Sequence, residues 1–462
     1  MTTLPLATAD WNAVCDEAVG YLSGLLQIDT TNPPGRERAA AEYLASILAA
    51  KGLEPVVLES APGRGQVVAR LRGSEERPPL LLFSHTDVVP AEPDHWTVPP
   101  FSGLVQDGYI WGRGALDMKS IVIMHLMALL LLKRTGQPLA RDVIFASTAD
   151  EERAGWLGMG WLVDHHPELI RAGYGLSEFG GFSYTIAGRR VYLCQTGEKG
   201  FCTVRLSVRG RPGHGSIPHT ENAITRLAAL LARLGPDALP SHPTATVRAF
   251  LATLADVLPG AAAGSLATLL NDDQVNLATL RRLLGEADLV SLLNAMLRNT
   301  ATPTSLAAGT GAAFNVIPSV AGTVLDARLL PGFDRERFLD ELRLALAPGE
   351  FETEIIYEGA ALEFPLDTPL FGAIRRILHR HDPAAALAPM LMAGATDARH
   401  VARLGTICYG FAPMRLKPDE QFLRLVHGHD ERIAIENLGW GLRVFAELVA
   451  EFSRRAPPAR RP

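Results

Sequence analysis

Two kinds of strand run through this chain, and the pattern changes from one to the other near residue 200. PLLLFSH (79–85) and VIFASTA (143–149) are apolar almost throughout, as strands covered on both faces must be. FCTVRLSVRG (201–210) alternates with period 2, as a strand with one wet face must. At 462 residues the chain also exceeds what one compact core supports. Two structural domains follow.

The first pattern interleaves strands with helices. Residues 10–24 and 36–52 carry apolar residues at helical spacing, and further helices are expected over 118–135 and 155–166. VVARL (67–71) is a strand, and the polar turn GSEERP after it predicts a hairpin with PLLLFSH. This alternation predicts an α/β layer with a mixed central sheet flanked by helices. The second pattern starts at the period-2 strand. It continues with a helix at 221–234, a long Ala/Leu-rich helical stretch at 245–299, a strand at 321–332, a helix at 334–346 and a strand at 351–359. Its order is that of the split βαβ, ferredoxin-like motif. The expected division is therefore a catalytic domain of 1–197 and 361–462 with an inserted α+β domain of 198–360. The first domain resumes with a helix at 368–381, a strand at 406–411 and a last helix at 432–454.

Charge excludes one class of function. Lys and Arg total 44 against 50 Asp and Glu, a net charge of −6 with no basic patch for nucleic acid. The longest apolar run, IVIMHLMALLLL (121–132), is too short for a membrane span and reads as a buried helix. Four cysteines without a CxxC pair, and an N-terminus without an apolar leader, predict a cytoplasmic protein.

Five segments place acidic residues or histidine where strands end or loops begin. They are SHTDVVP with His85 and Asp87, GRGALDMKS with Asp117, TADEERAG with Glu151 and Glu152, LSEFGG with Glu178, and VHGHDERI with His427. Singly, each has an ordinary explanation as turn or helix-start chemistry. Together they sit where ligands gather in α/β sheets, at the carboxyl ends of strands. Two histidines and three carboxylates make a mixed N/O donor set suited to zinc, with one carboxylate left over as a base. Co²⁺ or Mn²⁺ suits the same set.

From about residue 20 to 450 the chain resembles the di-zinc aminoacylase/carboxypeptidase family. SHTDVVP, GRGALDMK, TADEE, GHGSIP, FNVIP, GATDAR and HGHDE occur in that family's order. The likeness is nearest to the carboxypeptidase S and N-fatty-acyl-amino-acid hydrolase branch. It implies a metal-dependent hydrolase that cuts an amide next to an amino acid keeping its free α-carboxylate. Substrates would be N-acyl amino acids or short peptides. The resemblance makes Asp117 a bridge between two Zn²⁺ ions, with His85 and Glu178 completing one site and Glu152 and His427 the other. Asp87 would orient His85, and Glu151 would serve as general base for a hydroxide bridging the metals. His214, in GRPGHGSIPH, would donate to the oxyanion across a homodimer formed by the inserted lid domain. Arg328, Asn315, Gly394 and Thr396 would clamp the substrate. Two positions depart from the family pattern. Phe179 stands where relatives often have Gly, and His429 is either a spare ligand or an exposed bystander.

Overall fold

A computed structural model describes residues 6–455 except 7, 261–262, 265, 267–277, 279–280, 283–286, 310–313, 418–419 and 421. The chain divides into two compact units. One comprises 1–196, 364–388 and 396–462, and the other 197–363 and 389–395.

The first unit is built on a mixed sheet. Its strands lie in the order Val56–Glu59, Gly65–Leu71, Val143–Thr148, Leu80–His85, Tyr174–Ser177, Ile407–Gly410 and Arg189–Glu198. The four strands from Val143–Thr148 to Ile407–Gly410 are parallel, and the flanking pairs are antiparallel. The expected hairpin between 67–71 and 79–85 does not form. Val143–Thr148 lies between the two, antiparallel to one and parallel to the other. All six of its residues are buried, so a central position covers both faces of a strand that has no polar side to show.

Several helices start at side-chain caps. The Asp10 carboxylate accepts from the backbone N–H groups of Asn12 and Ala13, and the Thr368 hydroxyl accepts from Phe371 N. The helix Lys119–Thr135 is buried on every side from Lys119 to Leu132 and ends at Gly136, whose φ is +59°. It packs against Trp11–Leu26, Ile435–Ser453 and the Leu80–His85 strand. The helix expected at 155–166 begins only at Met159, because the chain first makes a tight turn at Glu151–Arg153. The last helix begins at Ile435. Before it, Arg432–Ala434 pairs as a strand with Tyr109–Trp111.

The second unit is a four-stranded antiparallel sheet in the order Thr300–Ala308, Val320–Leu329, Gly200–Arg209, Glu352–Gly359. Numbered along the chain, that is 2-3-1-4, the ferredoxin-like arrangement. Its core forms on one face, where Val204, Leu206 and Leu325 meet Leu227, Phe338 and Leu342 of the helices Ala223–Leu231 and Arg335–Leu346. The sequence reading took 245–299 as one helical stretch and passed over the strand after it. Ala245–Val257 and Ala287–Leu297 are helical, and most of the chain between them lies outside the described residues.

Candidate metal centre

Three neighbouring parallel strands deliver the first ligands. His85 ends one strand, Glu151 and Glu152 follow the next, and Glu178 follows the third. His85 pairs in register with Thr148, so the ends of these strands are level. After Glu178, the chain squeezes against the Ile407–Gly410 strand. A Cβ on Gly180 would lie 2.1 Å from Gly410 O, so only glycine allows this approach.

Asp117 and His427 come from loops, and one carboxylate holds both. Glu431 is fully buried. Its Oε1 accepts from Leu116 N at 2.7 Å and Asp117 N at 3.1 Å, and its Oε2 from Gly114 N at 3.0 Å and Arg113 Nη1 at 2.8 Å. Arg113 Nη2 in turn donates to His427 O at 3.3 Å. Glu431 stands in the segment VHGHDERI but was given no role of its own in the sequence reading. Its signal was present: a carboxylate four residues after a candidate ligand, in a segment that must return to the core.

The donor atoms converge. His85 Nε2 lies 3.3 Å from Asp117 Oδ1 and 3.5 Å from Glu178 Oε2. His427 Nε2 lies 3.1 Å from Asp117 Oδ2 and 3.2 Å from Glu152 Oε1. The two oxygens of Asp117 thus face two different histidines. Glu151 Oε2 stands 3.9 Å from His85 Nε2. The groups His85–Asp117–Glu152 and His85–Glu151–Glu178 each bring ligand atoms close enough to share an ion.

His85 Nδ1 donates to the backbone carbonyl of Asp87 at 3.0 Å, with Asp87 Oδ1 farther away at 3.5 Å. The expected carboxylate-to-imidazole bond is therefore secondary, and the Asp87 carbonyl sets the tautomer. That leaves the Nε2 lone pair facing carboxylate oxygens. Nε2 and Asp117 Oδ1 are both buried and make no hydrogen bond. An imidazole nitrogen turned on carboxylate oxygens calls for a cation between them, a proton or a metal, and the mixed N/O donor set fits divalent metal.

The Asp87 carboxylate does other work. It accepts from Glu151 N at 3.1 Å, Glu152 N at 3.2 Å and Asn32 Nδ2 at 2.8 Å, holding the turn that separates the two glutamates. Asp150, just before them, has φ +71°, and His427, Phe179 and Asp430 are also left-handed. Such backbone persists where the surroundings impose it, and functional sites are its usual place.

Electrostatics follow from this crowding. Burial opposes charge on His85, but Glu178 and Asp117 overcome it and hold its pKa well above the usual value. Hydrogen bonds to Asp117 and Glu152 push His427 up to about 10. Burial, then the charge of Glu178, raises the Glu151 carboxyl well above the carboxylate range. Burial raises Glu178 to about 7. Protons here occupy places that a metal cation would take.

A second buried network stands behind Asp87. Asn32 bridges Asp87 to Asp150, and Arg64 joins Asp150 to Glu37. Burial, then repulsion from Asp87, pushes Glu37 up to about 7. A raised folded-state value stabilises below the unfolded value of 4.5, and that contribution is lost as pH rises through about 7. The metal-free protein should therefore lose on the order of 2 kcal/mol between pH 5 and pH 8 relative to Glu37→Gln. Urea unfolding of both proteins at the two pH values checks this. Parallel pH profiles would refute it.

The remaining sequence-derived candidates have partners of their own. His214 and Asn315 meet on the short strand pair of the second unit. His214 Nδ1 is 2.7 Å from Ser216 Oγ, and its Nε2 is 3.5 Å from Asn315 Nδ2. Arg328 is held by Asp326 of its own strand, Nε to Oδ1 at 2.7 Å and Nη2 to Oδ2 at 3.1 Å. Gly394 falls in the second unit and Thr396 in the first, where the Thr396 hydroxyl accepts from Ala398 N at 3.1 Å. His429 turns to Glu92, Nε2 to Oε2 at 2.9 Å, and stacks on His95.

Comparison with known proteins agrees with the geometry. The chain is 29% identical to the N-fatty-acyl-amino acid synthase/hydrolase PM20D1 of Xenopus tropicalis, over 97% of this chain and 90% of that protein. It is 29% identical to human aminoacylase-1, over 92% of each. Among solved structures, the M20 family metallo-carboxypeptidase Sso-CP2 from Sulfolobus solfataricus superposes with a TM-score of 0.66, covering 95% of this chain and 99% of that one. At 19% identity that likeness speaks for the fold alone. Residues 81–451 match the model of peptidase family M20/M25/M40, and the chain belongs to that family of enzymes.

Proposed function

We propose that this enzyme is a dinuclear zinc amidohydrolase acting on N-acyl amino acids or on the C-terminal bond of short peptides. One observation carries the reading: Asp117 turns one oxygen to His85 and the other to His427, with Glu178 and Glu152 behind them. His85, Asp117 and Glu178 would hold one ion, and His427, Asp117 and Glu152 the other. Divalent ions held there supply Lewis acidity to the scissile carbonyl and acidify the attacking water.

The chain's own residues do the rest. Glu151 is held by its backbone to Asp87 and is raised toward protonation by burial and Glu178. As a carboxylate, its form beside bound cations, it would take the proton of the attacking water and pass it to the leaving amine. His214, with Asn315 beside it, would stabilise the oxyanion across a homodimer formed through the inserted lid. Exposed Ile217, Phe314 and Val316 near this pair support such an interface. Arg328 would have to leave Asp326 to clamp a substrate carboxylate. Gly394 and Thr396 would line the same clamp. Four free cysteines, three of them buried, support a reducing, cytoplasmic setting. No helix among the described residues is long and apolar enough to cross a membrane.

Chelated enzyme should be inactive and regain turnover with added zinc. N-acyl forms of one apolar amino acid should be cleaved, and their carboxyl-blocked analogues cleaved far more slowly. A panel of N-acetyl, N-long-acyl and dipeptide substrates, each with its blocked analogue, checks this. Turnover that ignores the free carboxylate would overturn the substrate class.

A further inference from the structure

Within the segment 175–183, which carries Glu178, every residue is buried except Phe179. It is half-buried, and its backbone is left-handed at φ +58°. A bulky aromatic residue rarely adopts that conformation. Glycine follows it twice, so the chain had a residue at hand that would carry the turn without strain. The position therefore keeps a ring at a cost, immediately beside a candidate metal ligand.

The ring is anchored from behind. Phe179 meets Phe182 edge to face, with centroids 6.2 Å apart. Phe182 packs on Phe422 at 4.8 Å and on Tyr184 at 6.0 Å. Phe422 opens the short helix Phe422–Leu425 that runs into the turn bearing His427. An aromatic row thus starts next to Glu178 and reaches the segment that presents His427. Phe182 and Phe422 are buried, and Phe179 and Tyr184 are the partly open rings over them. A partly open ring next in sequence to Glu178, backed by a buried aromatic row, suits a substrate with one polar end and one extended hydrocarbon.

We propose that Phe179 determines specificity for the acyl group, its ring forming the wall along which a medium or long aliphatic acyl chain lies. The assignment rests on the amide-hydrolase reading of the same site and names its substrate class more narrowly. It explains why a ring, not glycine, follows Glu178. The test compares kcat/KM for N-long-acyl and N-acetyl forms of one amino acid in wild type, Phe179→Gly and Phe179→Leu. The long-to-acetyl ratio should fall at least tenfold in Phe179→Gly, the fall appearing in KM for the long-acyl substrate. Phe179→Leu should recover part of it. Thermal midpoint and zinc per chain serve as controls, since glycine relieves the left-handed backbone and should not cost folding. Equal loss on both substrates, or lost zinc, would make Phe179 merely structural and overturn the assignment. So would an unchanged ratio. Wild type inert on every substrate would overturn the hydrolase reading itself, and this assignment with it.

Discussion

Glu151→Gln should lower kcat by about 100- to 10,000-fold while leaving KM and metal content near wild type. The substitution keeps the side chain's volume and removes its ability to carry a proton. The structure makes this a sharp question, because Glu151 also stands close enough to His85 and Glu178 to share an ion with them. As a ligand, its loss would appear as lost metal. As a base, its loss would appear only in turnover. Glu152→Gln is the matching control, since its carboxylate lies 3.2 Å from His427 and a ligand role predicts weaker binding of one ion. Metal counted per chain, beside single-turnover rates, separates the two. Full metal content with near-normal kcat in Glu151→Gln would remove it from the chemistry.

The neighbouring glutamates show what a sequence can and cannot convey. TADEE after an apolar strand was enough to mark acidic residues at a sheet's carboxyl edge, because strand ends and apolar runs are local features. The same local logic placed His85 at a strand end and Glu178 just after one, and it placed most helices. It failed where partners are distant in the chain. Nothing in PLLLFSH says that residues 143–148 lie between it and 67–71, and so a hairpin was expected. Asp87 was read as a partner for His85, two residues away. Its main contacts are the backbone of Glu151 and Glu152 and the side chain of Asn32. Glu431 was given no role of its own because its four donors lie more than 300 residues earlier. Arg328, read as a substrate clamp, is paired with Asp326, two positions along the same strand face, a local partner that the pattern LDARLLPG already contains.

Arg64→Leu should cost about 3–5 kcal/mol of stability, the usual penalty for leaving buried charge without its partner. Arg64 is 4% exposed and serves Glu37 and Asp150, both buried. The fold makes room for it with Gly35 at φ +81°, where a Cβ would fall 1.2 Å from the guanidinium. Leucine fills part of the volume but leaves Asp150 unpaired, and above about pH 7 leaves Glu37 unpaired too. Asp150 is also tied through Asn32 to Asp87, whose carboxylate holds the Glu151–Glu152 turn, so an Asp150 freed of Arg64 is coupled directly to that turn. The loss should therefore reach the candidate metal centre as well as the unfolding midpoint, with kcat falling even where the protein remains folded. Adding Glu37→Gln to Arg64→Leu should recover part of the stability at pH 8 and less at pH 5, because glutamine removes a charge present only at the higher pH. Urea unfolding of the single and double variants at both pH values measures this coupling. A loss below about 1 kcal/mol would mean that the network behaves like a surface ion pair, and its role in holding the base would fall with it.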